Sequence, residues 1–247
     1  MKRKWWIALF GLLSLMVLFV AVFGKQIYIS IIAKKIYADK TSFLSIVPEK
    51  RELSEQVIIE GYDLNAFDIN LKIPFKQSPE LSQTETEIIA SSVDQFGFTV
   101  VLNKPRPDPF RRHLSQLVDS KIIQNYDQSL KDLKQNYKSY FDFVYASFVS
   151  TPNKELFFSA IQKSDIHLYQ QATKYSHVIF DHTAEKIYYF VTGYCKVFQV
   201  GDPDLDGVVT LWIYPDNNKE IEINIITRKG NLKQKEIENI IASLRFL

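Results

Sequence analysis

The apolar run from Trp5 to Phe23 constrains this chain more than any other feature of it. Ser14 is its one clearly polar member. At 1.5 Å per residue a helix over the run reaches roughly 28 Å, close to the ~30 Å hydrocarbon core of a bilayer. Lys2, Arg3 and Lys4 precede it, and Trp5 and Trp6 stand where an aromatic belt lies. The competing reading is a cleaved signal peptide, with Val22 and Gly24 as a weak cleavage site. Such a peptide has an apolar stretch of only ~7–15 residues. This one is longer and more aromatic, so the expectation is a retained signal-anchor contacting the lipid bilayer through residues 5–23.

The basic N-terminus favours a cytoplasmic start and an extracytoplasmic C-terminal domain. Lys25, Lys34, Lys35 and Lys40 on the other flank blunt that asymmetry. The only cysteine is Cys195, so none follows the run to carry a lipid, and no second run of this length occurs. A single-pass protein is expected. Without Lys2, Arg3 and Lys4, 27 basic residues face 28 acidic ones, so the rest of the chain is close to neutral. That speaks against nucleic acid as a partner. One cysteine rules out an internal disulfide scaffold, and 8 glycines rule out glycine-rich repeats.

The order of patterns predicts an α+β fold: a single N-terminal transmembrane helix, then one domain with a largely antiparallel sheet and a helical block. Residues 1–24 form the anchor. Residues 25–60 read as a helical extension (Ile27, Ile31, Ile32, Ile36) and a polar connector through Pro48 and Glu49–Glu52. Residues 61–247 form the extracytoplasmic domain. Phe67, Ile69, Leu71, Ile73 and Phe75 alternate with polar residues as one half-buried strand, ended by Pro74. Strands over 87–93 and 98–103 flank a turn at Asp94–Gly97. Tyr126, Leu130, Leu133, Tyr137, Tyr140, Val144 and Phe148 form one helical stripe. Helices are predicted over 109–119 and 122–149, the second with a break. Thr151-Pro152 restarts a helix, and another follows Ser164-Asp165. Strands return over 178–181, within 187–200, and over 208–214 and 220–227, the last two joined by a turn at Pro215–Asn218. Ile237, Ile240, Ile241 and Leu244 mark a final helix.

Two segments carry the strongest local chemistry. In Asp202-Pro203-Asp204-Leu205-Asp206-Gly207, Asp202, Asp204 and Asp206 alternate before a glycine, as in the first half of a calcium loop. The bidentate glutamate of such a loop is replaced by Ile213, and the same residues also suit a plain hairpin turn. In the second segment Asp108 and Pro109 read as a helix start, which puts Arg111 and Arg112 in the first turn, where the helix dipole disfavours cations. That misfit marks Arg111 and Arg112 as a candidate anion site, beside the alternative of a solvated loop. His177, Asp181 and His182 do not complete a metal set. No local nucleophile, zinc or phosphate-loop motif is present. Cys195 lies in an apolar stretch and reads as an inert buried thiol.

The strand ending at proline (Phe67–Pro74), with the closing hairpin and helix (Val208–Ile225, Ile237–Phe246), resembles the PsbP/Mog1-type α+β fold over a third of the chain. The long helical block departs from a minimal version of that fold. The resemblance implies an α+β architecture and, since such proteins are mostly non-catalytic, a binding or assembly role. The expectation is a non-enzymatic, membrane-anchored domain that binds a protein or envelope component, with no cofactor. Its alternatives are an anchored hydrolase with a spatially assembled active site and a calcium-dependent binding module.

Overall fold

The structure is a computed structural model of the 247-residue chain. It describes residues 11–24, 47–53, 60–93, 97–119, 126–149, 170, 173, 187–216 and 218–247. The helices expected after Thr151 and Ser164, the strand over 178–181, the extension over 25–40, and His177, Asp181 and His182 lie outside those residues. Residues 11–24 are helical, and their large apolar side chains from Leu12 to Val22 are exposed. Among the described residues no helix is long and apolar enough to cross a membrane. The stretch 11–24 alone measures roughly 21 Å at 1.5 Å per residue.

Period-2 alternation builds the main sheet. Its strands are β1 (Glu49–Lys50), β4 (Glu80–Gln83), β5 (Glu87–Ser91), β6 (Thr99–Asn103), β7 (Arg106–Pro107), β8 (Ile187–Val191), β9 (Cys195–Val200), β10 (Gly207–Pro215) and β11 (Lys219–Thr227). They run in the order β1-β8-β9-β10-β11-β6-β5-β4, and β7 pairs with β11 off that path. Every pairing is antiparallel except β1 with β8. A second sheet orders β12 (Arg245–Phe246), β3 (Ile69–Ile73) and β2 (Tyr62–Ala66). Four helices complete the described fold: α1 (Pro109–Asp119), α2 (Tyr126–Asn136), α3 (Tyr140–Val149) and α4 (Gln234–Ser243). The fold is thus α+β with a mostly antiparallel sheet.

The two faces of the main sheet bury two separate cores. Ile88, Ala90, Val100, Leu102, Val209, Leu211, Ile213, Ile221, Ile223 and Ile225 point to one face. There they meet Leu71 and Ile73 of the β2–β3 hairpin and Ile237, Ile240 and Ile241 of α4. On the other face Ile187, Phe198, Val200 and Tyr214 pack under Phe110, Leu114, Leu133, Tyr140, Phe141, Phe143 and Phe148 of α1–α3. This second core is largely aromatic: Phe141 stacks on Phe198 with centroids 4.3 Å apart and 13° between planes.

Polar pins fix the layers. Gln199, fully buried, exchanges two 2.8 Å amide hydrogen bonds with Gln234 at the start of α4. Arg51 reaches Glu238 of α4 at 2.5 Å and lies 4.3 Å over the Tyr188 ring. The sheet therefore already includes residues upstream of 61, inside the stretch read as connector.

Most predicted elements have their counterparts. The hairpin over 87–103 pairs Ser91 with Thr99, with residues 94–96 of its turn outside the described part. The helical block breaks at 137–139, where Ser139 Oγ caps α3 by accepting from Asp142 N–H at 3.2 Å. The predicted strand over 67–75 is present as β3 over Ile69–Ile73, with the expected alternation, but its start is a turn. Phe67 and Asp68, with φ of 54° and 62°, form a two-residue turn between β2 and β3, and Ala66 faces Ile69. Two consecutive left-handed residues are the type I′ geometry that matches strand twist, here without the usual glycine or asparagine. Gly61 begins this hairpin because a Cβ there would meet the Ile73 carbonyl oxygen at 2.1 Å.

Asp68→Gly removes the steric cost of a left-handed non-glycine residue, about 1 kcal/mol. Chemical denaturation is expected to show a gain of that order for this variant and a loss for Asp68→Val, whose β-branched side chain fits the conformation least.

Candidate functional site

Pairing of β7 with β11 generates an extended, partly buried polar cluster. Arg106 faces Glu220 and Pro107 faces Lys219 in register, so the chain enters α1 beside the first residues of β11. Asn218 C=O accepts from Asp108 N–H at 3.0 Å, which holds the helix start against the β10–β11 turn. Asp108, at φ 42°, is the N-cap: its Oδ1 accepts from Arg111 N–H at 3.2 Å, and its C=O from Arg112 N–H at 3.0 Å.

The two arginines part ways there. Arg111 is exposed, with Nε 3.5 Å from Asp108 Oδ2. Arg112 turns inward and donates through Nη2 to Glu220 Oε1. Glu220, whose side chain is only 5% exposed, also has Oε2 3.2 Å from His113 Nε2, which in turn lies 2.8 Å from Arg112 Nη2. The His113 ring lies flat against Tyr140, 5.2 Å between centroids and 9° between planes. The cationic first turn that looked unfavourable is compensated by a buried carboxylate from a strand more than a hundred residues away. Arg112 and Arg111 are thus not brought together as one anion site. Glu220 escaped the sequence reading because in Glu220-Ile221-Glu222-Ile223 it reads as one more outward polar residue.

Behind Tyr140 lies a cleft of about 170 Å³. One wall is the start of α3, with Ser139, Tyr140 and Phe141; the other is the end of β10 and its turn, with Tyr214, Pro215 and Asp216. Lys138, Lys196 and Lys219 also line it, from three separate elements, against Asp216 as the one acid. Lys196 Nζ lies 3.1 Å from Asp142 Oδ1 and 5.1 Å from the Phe141 ring centroid. Among the described residues neither Lys138 nor Lys219 has an ion-pair partner. The start of α3 borders the same space, with Ser139 Oγ accepting from Asp142 N–H and the Asp142 carboxylate in its first turn. Sequence reading missed this cleft because nothing local links lysines at 138, 196 and 219.

The aspartate loop does other work. Asp202 Oδ1 accepts from Asp204 N–H at 2.9 Å, an Asx turn, and Asp206 Oδ1 accepts from Lys229 N–H at 2.7 Å. Gly207, at φ 147°, opens β10. Among the described residues no group of three or more His, Cys, Asp or Glu is placed to hold a metal ion. Asp202 and Asp206 thus each commit a carboxylate oxygen to backbone N–H groups around the start of β10. Cys195 is buried, and desolvation pushes its thiol above the usual range, countered in part by its hydrogen-bonding contact with Thr192 Oγ1.

Removing Glu220 leaves a guanidinium with little access to water. Glu220→Ala is expected to lower unfolding free energy by about 3 kcal/mol. Glu220→Gln, which keeps the hydrogen-bonding oxygen, is expected to lose less. Urea titration of the two variants measures the difference. For the aspartate loop, thermal melts in millimolar calcium and in excess chelator are expected to coincide, because a ligand bound only to the native state raises the midpoint.

No protein-family model, no curated protein and no solved structure matches this chain. The resemblance to the PsbP/Mog1-type fold accordingly rests on the sequence segments that suggested it, and the functional reading on the chain's own chemistry.

Proposed function

We propose that this protein is a membrane-tethered binding protein. Residues 5–23 hold it in a lipid bilayer as a single pass, and the α+β domain outside the cytoplasm takes up a protein or envelope component without catalysing a reaction. One observation carries this reading: a basic-flanked apolar run with a single polar member stands ahead of a remainder that is nearly neutral. The run has the length of a bilayer core, and the remainder has enough apolar alternation to bury its own cores without lipid. A cleft of about 170 Å³ lined by Lys138, Lys196 and Lys219 gives the domain a place to hold something. The combination fits a receptor or assembly factor that needs proximity to the membrane more than turnover.

Alkaline carbonate washing of membranes tests the tether. The chain is expected to stay with the lipid pellet and to release only with detergent, and a C-terminal reporter enzyme active only outside the cytoplasm is expected to be active. Release by carbonate, or a reporter active only in the cytosol, contradicts the proposal.

A further inference from the structure

We propose that the end of the main sheet bearing Leu205, Val208 and Ile226 is a lipid-contacting surface, by which the domain rests on the zwitterionic headgroup layer of the bilayer that holds its tether. This rests on the reading of residues 5–23 as that tether and goes beyond it by naming the part of the domain that meets lipid. Register fixes the end of the sheet at which the chain arrives. β1 runs parallel to β8, with Glu49 beside Tyr188 and Lys50 beside Tyr189, so Val47 and Pro48 lie toward the Ile187 end of β8. Ile187 faces Val200 and Val200 faces Thr210, which puts the β9–β10 turn and the start of β10 at that same end. Gly207 pairs with Thr227, so the last residues of β11 lie there too.

Aliphatic side chains stand in water at that end. Val208 and Ile226 face each other directly across β10 and β11, 38% and 49% exposed, and Leu205 in the preceding turn is 39% exposed. Ile226 faces Thr99, Thr99 faces Ser91, and Val93, two residues farther on, is exposed too. Trp212 and Tyr214, farther along the same face of β10, pack into the aromatic core, whereas Val208 lies beyond it. Single exposed aliphatics are ordinary, but a cluster of them at one end of a sheet marks a contact surface. Charges of both signs flank it: Asp204, Asp206, Arg228 and Lys229 are exposed, and Asp206 Oδ1 ties the two turns together by accepting from Lys229 N–H at 2.7 Å. A purely basic surround would select anionic lipid. This mixed one matches a layer that carries phosphate and ammonium together, with the aliphatic side chains reaching the acyl boundary. The 22 residues from 25 to 46 span up to roughly 75 Å when extended, so the tether alone presses no face to the membrane. It does hold the patch at high effective concentration beside the lipid, so a few aliphatic side chains suffice to orient the domain.

The test uses the full chain in phosphatidylcholine nanodiscs that carry a nitroxide-labelled lipid as quencher. An environment-sensitive fluorophore is attached at Leu205→Cys or, separately, at Asp216→Cys, which is exposed just past the other end of β10. The native Cys195 is buried, and the unaltered chain serves as the labelling control. The label at position 205 is expected to be quenched and blue-shifted, and the label at position 216 to be neither. Adding Val208→Thr/Ile226→Thr, which keeps β-branched side chains in the strands, is expected to abolish most of the quenching at 205. A thermal melt verifies that this variant is folded. Replacing part of the phosphatidylcholine by phosphatidylglycerol is expected to leave the quenching unchanged, and quenching that appears only with anionic lipid overturns the zwitterionic assignment. Equal quenching at 205 and 216, or undiminished quenching in the folded threonine variant, overturns the proposal. A chain that stays with the nanodiscs without quenching at 205 overturns this inference alone. One that elutes apart from them overturns the tether, and this inference with it.

Discussion

Strand β10 is the constraint on which the rest of the structure depends. It pairs antiparallel with β9 on one side and β11 on the other, from Gly207 to Pro215. Because successive side chains point to opposite faces, Val209, Leu211 and Ile213 feed one core while Trp212 and Tyr214 feed the other. A slip of one residue in either register would put isoleucines under the aromatic helices and Tyr214 under α4, so register here is set by both faces at once. Each buried aliphatic side chain contributes about 1.5–3 kcal/mol of transfer free energy. Val209, Leu211, Ile213, Ile221, Ile223 and Ile225 are all at or below 1% exposure, which makes β10–β11 the least expendable pairing in the sheet.

The position of the site follows from that pairing. The same ladder that buries Ile221 carries Glu220 one residue earlier to the opposite face, beneath α1, where only a cation can accompany it. Arg112 does so, and His113 and Tyr140 close over the pair. With α1 and α3 held this way, the end of β10 and the start of α3 stay slightly apart, and the cleft is the space between them. Its lysines come from a loop, a strand interior and a strand start, so their convergence is a product of tertiary structure alone. The aromatic core beneath is rigid in the physical sense that stacked and edge-to-face rings fix one another's orientation, as among Phe110, Tyr140 and Phe143.

What sequence reasoning reached and what it missed divide along the same physical line. Alternation located β11, and helical stripes located α2, α3 and α4, because burial on one face writes directly into residue order, while α1 was placed by its Asp108-Pro109 start and β5–β6 by the turn between them. A break within 122–149 was expected, but its place at 137–139 was not read from the sequence. Nor was the turn at Phe67-Asp68, because its left-handed geometry is imposed by the pairing of β2 with β3 without glycine or asparagine to announce it. Strand β4 escaped because all four of its residues are exposed at the sheet edge, which leaves no alternation to read. Asp202, Asp204 and Asp206 had the spacing of ligands, yet Asp202 and Asp206 spend an oxygen each on backbone N–H groups of the turn. Arg111 and Arg112 were singled out by a real electrostatic misfit; its resolution lay in Glu220, which no local rule connects to them.

Native-state hydrogen exchange, read residue by residue on the full chain, tests the central claim most directly. If β10 organises both cores, the amides of Leu211, Ile213, Ile221 and Ile223 exchange only through global unfolding, at one shared free energy, while those of β4 exchange through local fraying. Exchange of the β10 and β11 amides at a lower free energy than those of the β4–β5 edge would contradict the account.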